Sequence, residues 1–216
     1  MIKRALCVMT LCLLFTLWTA GSVIPSLAKD EKLLLSCFSR YAETEGFGVK
    51  KSDYPLFSAQ LSAFFRHETD DPSVQAFPFH DYEVTHLFDV RHLMDGIRRF
   101  AFICLAGAVP VLACTVFLYR RRRFSLLPGF IAFLLLAAAV ILYATLDFNR
   151  LFYLLHELLF TNDLWLLNPQ TDLLIALMPE GMFMFLARRV LYCLLPLLML
   201  TGIICGVSPK YAQPRQ

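Results

Sequence analysis

Four long apolar runs are the feature that most limits what this chain can fold into. Each is about 20 residues long, the length that an α-helix needs to cross the hydrocarbon core of a bilayer. With 58% hydrophobic residues, the 216-residue chain is also too apolar for an ordinary soluble domain. We therefore predict an all-α membrane protein, with residues 1–216 forming a single membrane domain. The four predicted transmembrane helices cover about residues 5–27, 101–119, 126–146 and 190–207.

Basic residues beside these runs predict their orientation. Lys3 and Arg4 precede the first run, and four arginines at 120–123 separate the second from the third. Because Lys and Arg accumulate on the cytoplasmic side of membrane proteins, both clusters are expected inside the cell. With four spans, Lys210 and Arg215 of the tail also fall on that side.

The segments at about 28–100 and 147–189 are then expected outside the cytoplasm. They contain every Asp, Glu and His of the chain. Two arginine pairs, at 98–99 and 188–189, would flank spans on this outer side, and we interpret them as snorkelling side chains or contacts to lipid phosphates.

The first apolar run has two interpretations. The residues Ser26, Leu27 and Ala28 resemble a signal-peptidase site, so the run could be a cleaved signal peptide. Its apolar region is longer than the usual ~7–15 residues of such peptides, which favours a retained anchor.

The first outer segment reads as a helical cap. Helix-like patterns cover 31–45 and 58–68, and a third helix is predicted from Asp81 to about Arg99, with Asp81 as the N-cap and Glu83 in the first turn.

The second outer segment reads as helices that lie in the membrane interface. The stretches 151–160 and 172–186 are apolar on most faces but too short or too interrupted to span a bilayer. Asn168 followed by Pro169 is typical of a helix start, and Asn162 or Asp163 is expected to begin a turn that presents Trp165.

Two histidines are the best candidates for chemistry. His86 and His156 lie in the two outer segments, so the topology allows them to converge on one site. Glu83, His86 and Asp89 follow each other at i, i+3 and i+6, where each carboxylate can approach the imidazole and raise its basicity. The alternative is a solvated polar face.

That alternative has its own predicted ion pair, between Arg91 and Asp95 at i and i+4. His156 argues for chemistry more strongly, because it and polar neighbours such as Asp172 lie in a stretch otherwise greasy enough for lipid. A polar group that enters hydrocarbon unpaired costs a few kcal/mol, so these residues indicate a function.

Other function classes fit the sequence poorly. His156 and Glu157 begin like a zinc-protease HExxH motif, but Phe160 stands where the second histidine is required, so we predict no metal site. The chain also lacks the serine-hydrolase GxSxG motif and the nucleotide-binding P-loop and GxGxxG motifs. Since the apolar runs carry no internal charged residue or histidine, a channel or transporter is unsupported as well.

Two segments resemble a known family. The stretches EVTHLFDVRHLM (83–94) and HELLFTNDLWLLNPQTDLLIALMPE (156–180) look like the signature regions of a family of small bacterial integral membrane proteins that includes the lipoprotein intramolecular transacylases. By that resemblance, His86 and His156 match the two histidines important for activity. The other matching signature positions are Asp89, Asn162, Trp165 and Asn168.

The resemblance implies an acyltransferase of the bacterial cell membrane, with its active site outside the cytoplasm. The expected substrates are lipoproteins whose N-terminal cysteine carries an S-diacylglyceryl group. The enzyme would move the sn-2 acyl chain to the α-amino group of that cysteine, giving the lyso form. Membrane lipid is the other expected partner, and no cofactor, nucleotide or nucleic acid is implied.

The residues suit that reaction. One histidine would deprotonate the amine, whose pKa is near ~8, and the other, or Asn162 or the Trp165 indole, would support the oxyanion or protonate the leaving group. Two alternatives remain: another acyltransferase or esterase of outer-leaflet lipids, and a non-catalytic membrane adaptor that binds a partner through residues 53–68.

Overall fold

The computed structural model describes residues 2–73, 77–120 and 127–206. Every regular element in these ranges is helical. The α-helices are α1 (Ile2–Ala28), α2 (Glu31–Tyr41), α3 (Tyr54–Phe65), α4 (Asp81–Arg120), α5 (Leu127–Leu146), α6 (Phe148–Leu159), α7 (Leu173–Leu177) and α8 (Glu180–Gly206), and a short 3₁₀ helix (Lys51–Asp53) precedes α3.

Four of the helices are long and apolar enough to cross a membrane. They contain the segments Ala5–Ala28, Asp81–Phe117, Leu127–Leu146 and Glu180–Thr201. This confirms the predicted all-α fold with four spanning helices. Arg121, Arg122 and Arg123, together with Lys210 and Arg215, on which the predicted orientation partly rests, lie outside the described residues.

Two of these helices are longer than the predicted spans. The third cap helix and the second span were expected as separate elements, but α4 runs through both as one helix of 40 residues. At 1.5 Å per residue α4 is about 60 Å long, twice the ~30 Å hydrocarbon core. Its first half, Asp81–Arg98, carries acidic and basic side chains, whereas its second half is apolar.

Helix α8 likewise begins at Glu180, ten residues before the predicted span at 190. The predicted interfacial helix at 172–186 is therefore divided at Met178 and Pro179. Its first part is the five-residue α7, and its second part is the start of α8. The proline explains the division, because it cannot donate the amide hydrogen bond that a continuous helix requires.

The structure divides into two compact units. The first comprises the described residues of Met1–Gly21, Arg99–Leu146 and Leu191–Gln216. Its small buried core contains Val8 and Cys12 of α1 and Phe130 and Phe133 of α5. At Gly129 these helices come so close that an added Cβ would lie 2.5 Å from the carbonyl oxygen of Ala5.

The second unit comprises Ser22–Arg98 and Asp147–Val190. Its larger core is rich in aromatic rings, and the centroid of Phe57 lies 5.1 Å from that of Phe38 and 5.0 Å from that of Phe77. Asp30 caps α2 by accepting a hydrogen bond from the Leu33 amide at 3.0 Å. All the predicted site residues belong to this unit.

Candidate active site

Helix α4 places His86 in a buried position. Its side chain is only 7% exposed, and its ring centroid lies 5.1 Å from that of Phe160 and 6.3 Å from that of His156. Nδ1 of His86 is buried without a hydrogen-bond partner among the described residues. Buried polar atoms in proteins are nearly always paired, so an unpaired one calls for an explanation other than packing.

Helix α6 presents His156 from the second outer segment. Asp147 caps the helix by accepting from the Arg150 amide at 2.9 Å, and the helix ends just before Phe160. Nδ1 of His156 lies 2.7 Å from the carbonyl oxygen of Phe152. Because a carbonyl can only accept, the proton lies on Nδ1, and Nε2 of the neutral ring carries a free lone pair. That lone pair makes His156 a candidate base.

Aromatic rings surround the His156 imidazole. The ring centroid of Phe152 lies 4.0 Å away, that of Trp165 5.0 Å and that of Phe160 5.5 Å. Trp165 is itself buried. The site is therefore largely apolar around the two imidazoles.

This environment keeps both histidines neutral. Burial and, to a smaller extent, the neighbouring His156 lower the pKa of His86, the negative charge of Asp89 partly opposes them, and together these effects bring the pKa to about 4. Burial also lowers the pKa of His156, against the hydrogen bond to Phe152. At neutral pH the pair can accept protons and make hydrogen bonds, but it carries no fixed positive charge.

Asp89 and Asn162 connect the two outer segments beside these rings. Nδ2 of Asn162 donates to Oδ2 of Asp89 at 2.9 Å. Oδ1 of Asn162 accepts from the Leu164 amide at 3.1 Å, and this forms the predicted turn that presents Trp165. These predicted residues therefore lie together.

Glu83 differs from the sequence expectation. It does not turn toward the His86 imidazole, because both of its carboxylate oxygens accept backbone amides: that of Leu174 at Oε1 and that of His80 at Oε2, each at 2.7 Å. Glu83 is fully buried. Its observed contacts join the start of α4 to the start of α7.

The predicted pair between Arg91 and Asp95 is also absent. The Arg91 guanidinium bonds instead to Asp70 at 3.3 Å and lies over the ring of Phe64, and Asp95 pairs with His67 at 3.0 Å. The solvated polar face is thus not the arrangement seen, since Arg91 is buried.

Asn168 forms a turn rather than the predicted helix start. Its side-chain oxygen accepts from the Gln170 amide at 3.0 Å, its carbonyl accepts from the amides of Thr171 and Asp172, and α7 begins only at Leu173. The Asn side chain thus caps the local turn that leads to Asp172.

The sequence drew attention to Asp172 as a polar group in an apolar stretch, but neither Asp172 nor Tyr82 was predicted as a site residue. The Tyr82 hydroxyl and the Thr171 hydroxyl each donate to Oδ1 of Asp172 at 2.7 Å, and the Asn168 amide donates to Oδ2 at the same distance. The bond to Asp172 and burial raise the pKa of Tyr82 to about 12, so the phenol stays protonated. The one available signal was an acidic residue in an apolar stretch, which indicates a paired group.

Among the described residues, no group of three or more His, Cys, Asp or Glu is arranged to hold a metal ion. The arrangement instead offers two neutral imidazoles, one carboxylate and a set of aromatic rings. Such a site can accept and donate protons at a bond that lies in apolar surroundings.

Comparison with known proteins points to one family. The model of the family described as "Lipoprotein intramolecular transacylase Lit" matches residues 7–183. No curated protein matches the sequence significantly.

Solved structures of the membrane integral lipoprotein intramolecular transacylase Lit from Bacillus cereus share the fold. One, of a variant with a histidine changed to alanine, is 19% identical, has a TM-score of 0.70 and covers 96% of this chain and 94% of its own. Another is 17% identical with a TM-score of 0.66, covering 97% and 95%.

Proposed function

The chain belongs to the lipoprotein intramolecular transacylase family, and on that premise we propose that it converts S-diacylglyceryl lipoproteins to the lyso form. The α-amino nitrogen of the N-terminal cysteine attacks the sn-2 ester carbonyl. An amide bond forms as the ester C–O bond breaks, the amine loses a proton and the glyceryl oxygen gains one. No external acyl donor is needed, because both groups belong to one substrate molecule.

The observation that carries this proposal is the meeting of His86 and His156. The two residues come from different outer segments, yet their ring centroids lie 6.3 Å apart in apolar surroundings. A structural role alone gives no reason for a buried imidazole nitrogen to remain unpaired, as Nδ1 of His86 does among the described residues.

The proposed base is His156. Its Nδ1 proton is held by the Phe152 carbonyl, so Nε2 can accept the proton of the attacking amine and return it to the glyceryl oxygen. His86 is the second participant, through a hydrogen bond to the oxyanion or to the leaving oxygen. The Asn162 amide already donates to Asp89, which weakens the case for Asn162 at the oxyanion.

The aromatic rings have a separate role. Phe152, Phe160 and Trp165 shield the ester from water, which would otherwise compete with the amine and release fatty acid. This favours transfer over the esterase alternative.

The proposed site faces the outside of the cell. Lys3 at the start of α1 supports a cytoplasmic N-terminus, and one crossing by α1 brings residues 29–98 to the opposite side. The crossings by α4 and α5 then return 147–190 to that same side. Lipoproteins in the outer leaflet would reach the site there.

The test is mass spectrometry of the N-terminal lipopeptide of one abundant lipoprotein. The host lacks an N-acyltransferase and expresses this chain or its His86→Ala, His156→Ala or His92→Ala variant. His92 is an exposed histidine of α4 and serves as the matched control. An N-acylated lyso species with unchanged total acyl content is expected from the wild type and His92→Ala only.

Other outcomes would overturn the proposal. A free amine with an intact diacylglyceryl group would favour the adaptor or another lipid substrate. Loss of an acyl chain as free fatty acid would identify an esterase. Full transfer by both His86→Ala and His156→Ala would contradict the assignment of the site but not the proposed reaction.

A further inference from the structure

Three acidic side chains of the second unit, those of Glu83, Asp89 and Asp172, differ in what they bind. Glu83 uses both oxygens for backbone amides, and Asp172 uses both for Tyr82, Thr171 and the Asn168 amide. These two carboxylates are therefore saturated by the protein itself. Neither carboxylate therefore needs a ligand to complete its hydrogen bonds.

Asp89 is the exception. Its Oδ2 accepts one hydrogen bond from Asn162, and no bond to Oδ1 is seen in the described part of the chain. The side chain is half-buried, so a ligand can reach it while solvent screening is reduced. Asp89 thus presents an oriented carboxylate oxygen with room for a donor.

Its position relates this oxygen to the reacting groups. Asp89 lies at i+3 from His86 on α4, where side chains share a helix face, and its charge acts on the His86 imidazole. Asn162, which holds it, follows Phe160, the residue whose ring contacts both imidazoles. The carboxylate is thus anchored at the rim of the histidine site.

We propose that Asp89, oriented by Asn162, binds the α-ammonium group of the N-terminal cysteine of the substrate. This inference rests on the proposed function. A free α-amino group has a pKa near ~8, so at neutral pH it enters the site mostly as a cation. A cation beside two neutral imidazoles is stabilised by an anion, and of Glu83, Asp89 and Asp172 it is Asp89 that has an oxygen to offer.

The same contact distinguishes substrate from product. Transfer converts the ammonium to an amide, which has no charge and no longer pairs with Asp89. The N-acylated product therefore loses a charge-assisted hydrogen bond that the substrate makes, and this promotes its release. Asp89 is a binding residue in this scheme, and Asn162 is a positioning residue.

The experiment measures binding without turnover. The purified His156→Ala protein is titrated with a short synthetic peptide that begins with S-diacylglyceryl-cysteine, either with a free α-amine or with the amine acetylated. The free amine is expected to bind about tenfold more tightly, as a hydrogen bond between charged groups would give. Adding Asp89→Asn should reduce this preference to about twofold or less.

Three further variants make the result specific. Asp89→Glu keeps the charge and should retain a preference, and Glu157→Gln removes the charge of an exposed neighbour of residue 156 and should leave the tenfold ratio intact. Asn162→Ala should lower the ratio for the amine while leaving the affinity for the acetylated peptide unchanged. Elution as a monodisperse peak checks that each variant is folded.

The inference is overturned if the His156→Ala protein shows no preference for the amine, or if the preference survives Asp89→Asn. A separate assay of transfer by the wild type distinguishes the two proposals. If the wild type did not transfer the acyl chain but the preference for the amine depended on Asp89, the proposed reaction would be overturned and the binding site would not. Transfer with an Asp89-independent preference would overturn the binding site alone.

Discussion

The imidazole rings of His86 and His156 lie with their centroids 6.3 Å apart, although one belongs to α4 and the other to α6. Two groups this close, both beside the ring of Phe160, are expected to act on one substrate bond as a unit. The consequence concerns how their substitutions combine.

We expect His86→Ala and His156→Ala each to reduce the initial rate of transfer by about 10²–10⁴-fold, the usual contribution of a general acid or base. The double variant should be little slower than the slower single variant, because the effects of residues that act together are not additive. Initial rates with a synthetic diacylglyceryl lipopeptide provide the measurement. Multiplicative effects would show that the two residues act independently.

A second prediction concerns acid stability. The folded pKa of His86 is about 4, below its usual 6.5, so between these values the unfolded chain binds more protons and stability falls as the pH falls. Lowering the pH from 7 to 5 should cost about 2 kcal/mol at this group. His156, whose pKa is also lowered, acts in the same direction.

Chemical denaturation in detergent at these two pH values measures the loss. His86→Gln should show a shallower pH dependence than the wild type, because it removes the titrating group. His92→Gln removes an exposed histidine of the same helix and should keep the wild-type slope. Equal slopes in all three proteins would contradict the assigned cause.

A third prediction concerns Glu83, the buried carboxylate that accepts the amides of His80 and Leu174. Glu83→Gln has almost the same shape, but its amide group must turn a donor toward one of these two donors. We expect a loss of about 1–3 kcal/mol, the cost of a buried group left unpaired. The midpoint of thermal unfolding should fall.

The exposed Glu157 provides the control for this change. Glu157→Gln removes the same charge from the other outer segment without disturbing a buried bond, and its unfolding midpoint should equal that of the wild type. If Glu83→Gln were as stable as Glu157→Gln, the junction between α4 and α7 would not depend on this carboxylate.

A fourth prediction concerns the close approach of α1 and α5. In Gly129→Ala the new Cβ would lie 2.5 Å from the Ala5 carbonyl oxygen and 2.9 Å from the Val8 Cβ, so the helices must move apart. We expect this overpacking to destabilise the protein by about 1–3 kcal/mol.

Gly96→Ala is the matched control, since nothing lies within 4 Å of a Cβ added there. In the middle of α4 it should be neutral or stabilise the protein by up to about 1 kcal/mol, as alanine favours helix more than glycine. In the same detergent, the midpoint of thermal unfolding should therefore fall for Gly129→Ala and either rise or stay unchanged for Gly96→Ala. A stable Gly129→Ala protein would contradict the close packing.

Topology and local pattern were enough to predict several features of this molecule. The number of spanning helices follows from the length of the apolar runs, because a helix must satisfy its own backbone in lipid. Placing both outer segments on one side allowed His86 and His156 to converge, and their ring centroids lie 6.3 Å apart. The turn at Asn162 follows from its side chain, which accepts a backbone amide two residues on.

The remaining features depend on contacts that no local pattern contains. Glu83 has the spacing expected of a partner for His86, but packing brings the amide of Leu174 to its carboxylate instead. The helix predicted to start at Asn168 begins instead at Leu173, as α7. Leu173 is buried in the core, and this burial sets the start of the helix. Arg98 and Arg99 resemble the boundary of a span, yet arginine favours helix and α4 continues through them without a break.

The bond between His156 Nδ1 and the Phe152 carbonyl has a genetic consequence. Where a carboxylate side chain orients a catalytic histidine, a mutational screen readily finds it. Here the orienting atom belongs to the peptide backbone, so every residue type at position 152 supplies it. A screen of single substitutions would therefore register the loss of the Phe152 ring but not the role of the Phe152 carbonyl. Only an ester in place of the peptide bond after Phe152, whose carbonyl is a weaker acceptor, would expose what holds the ring.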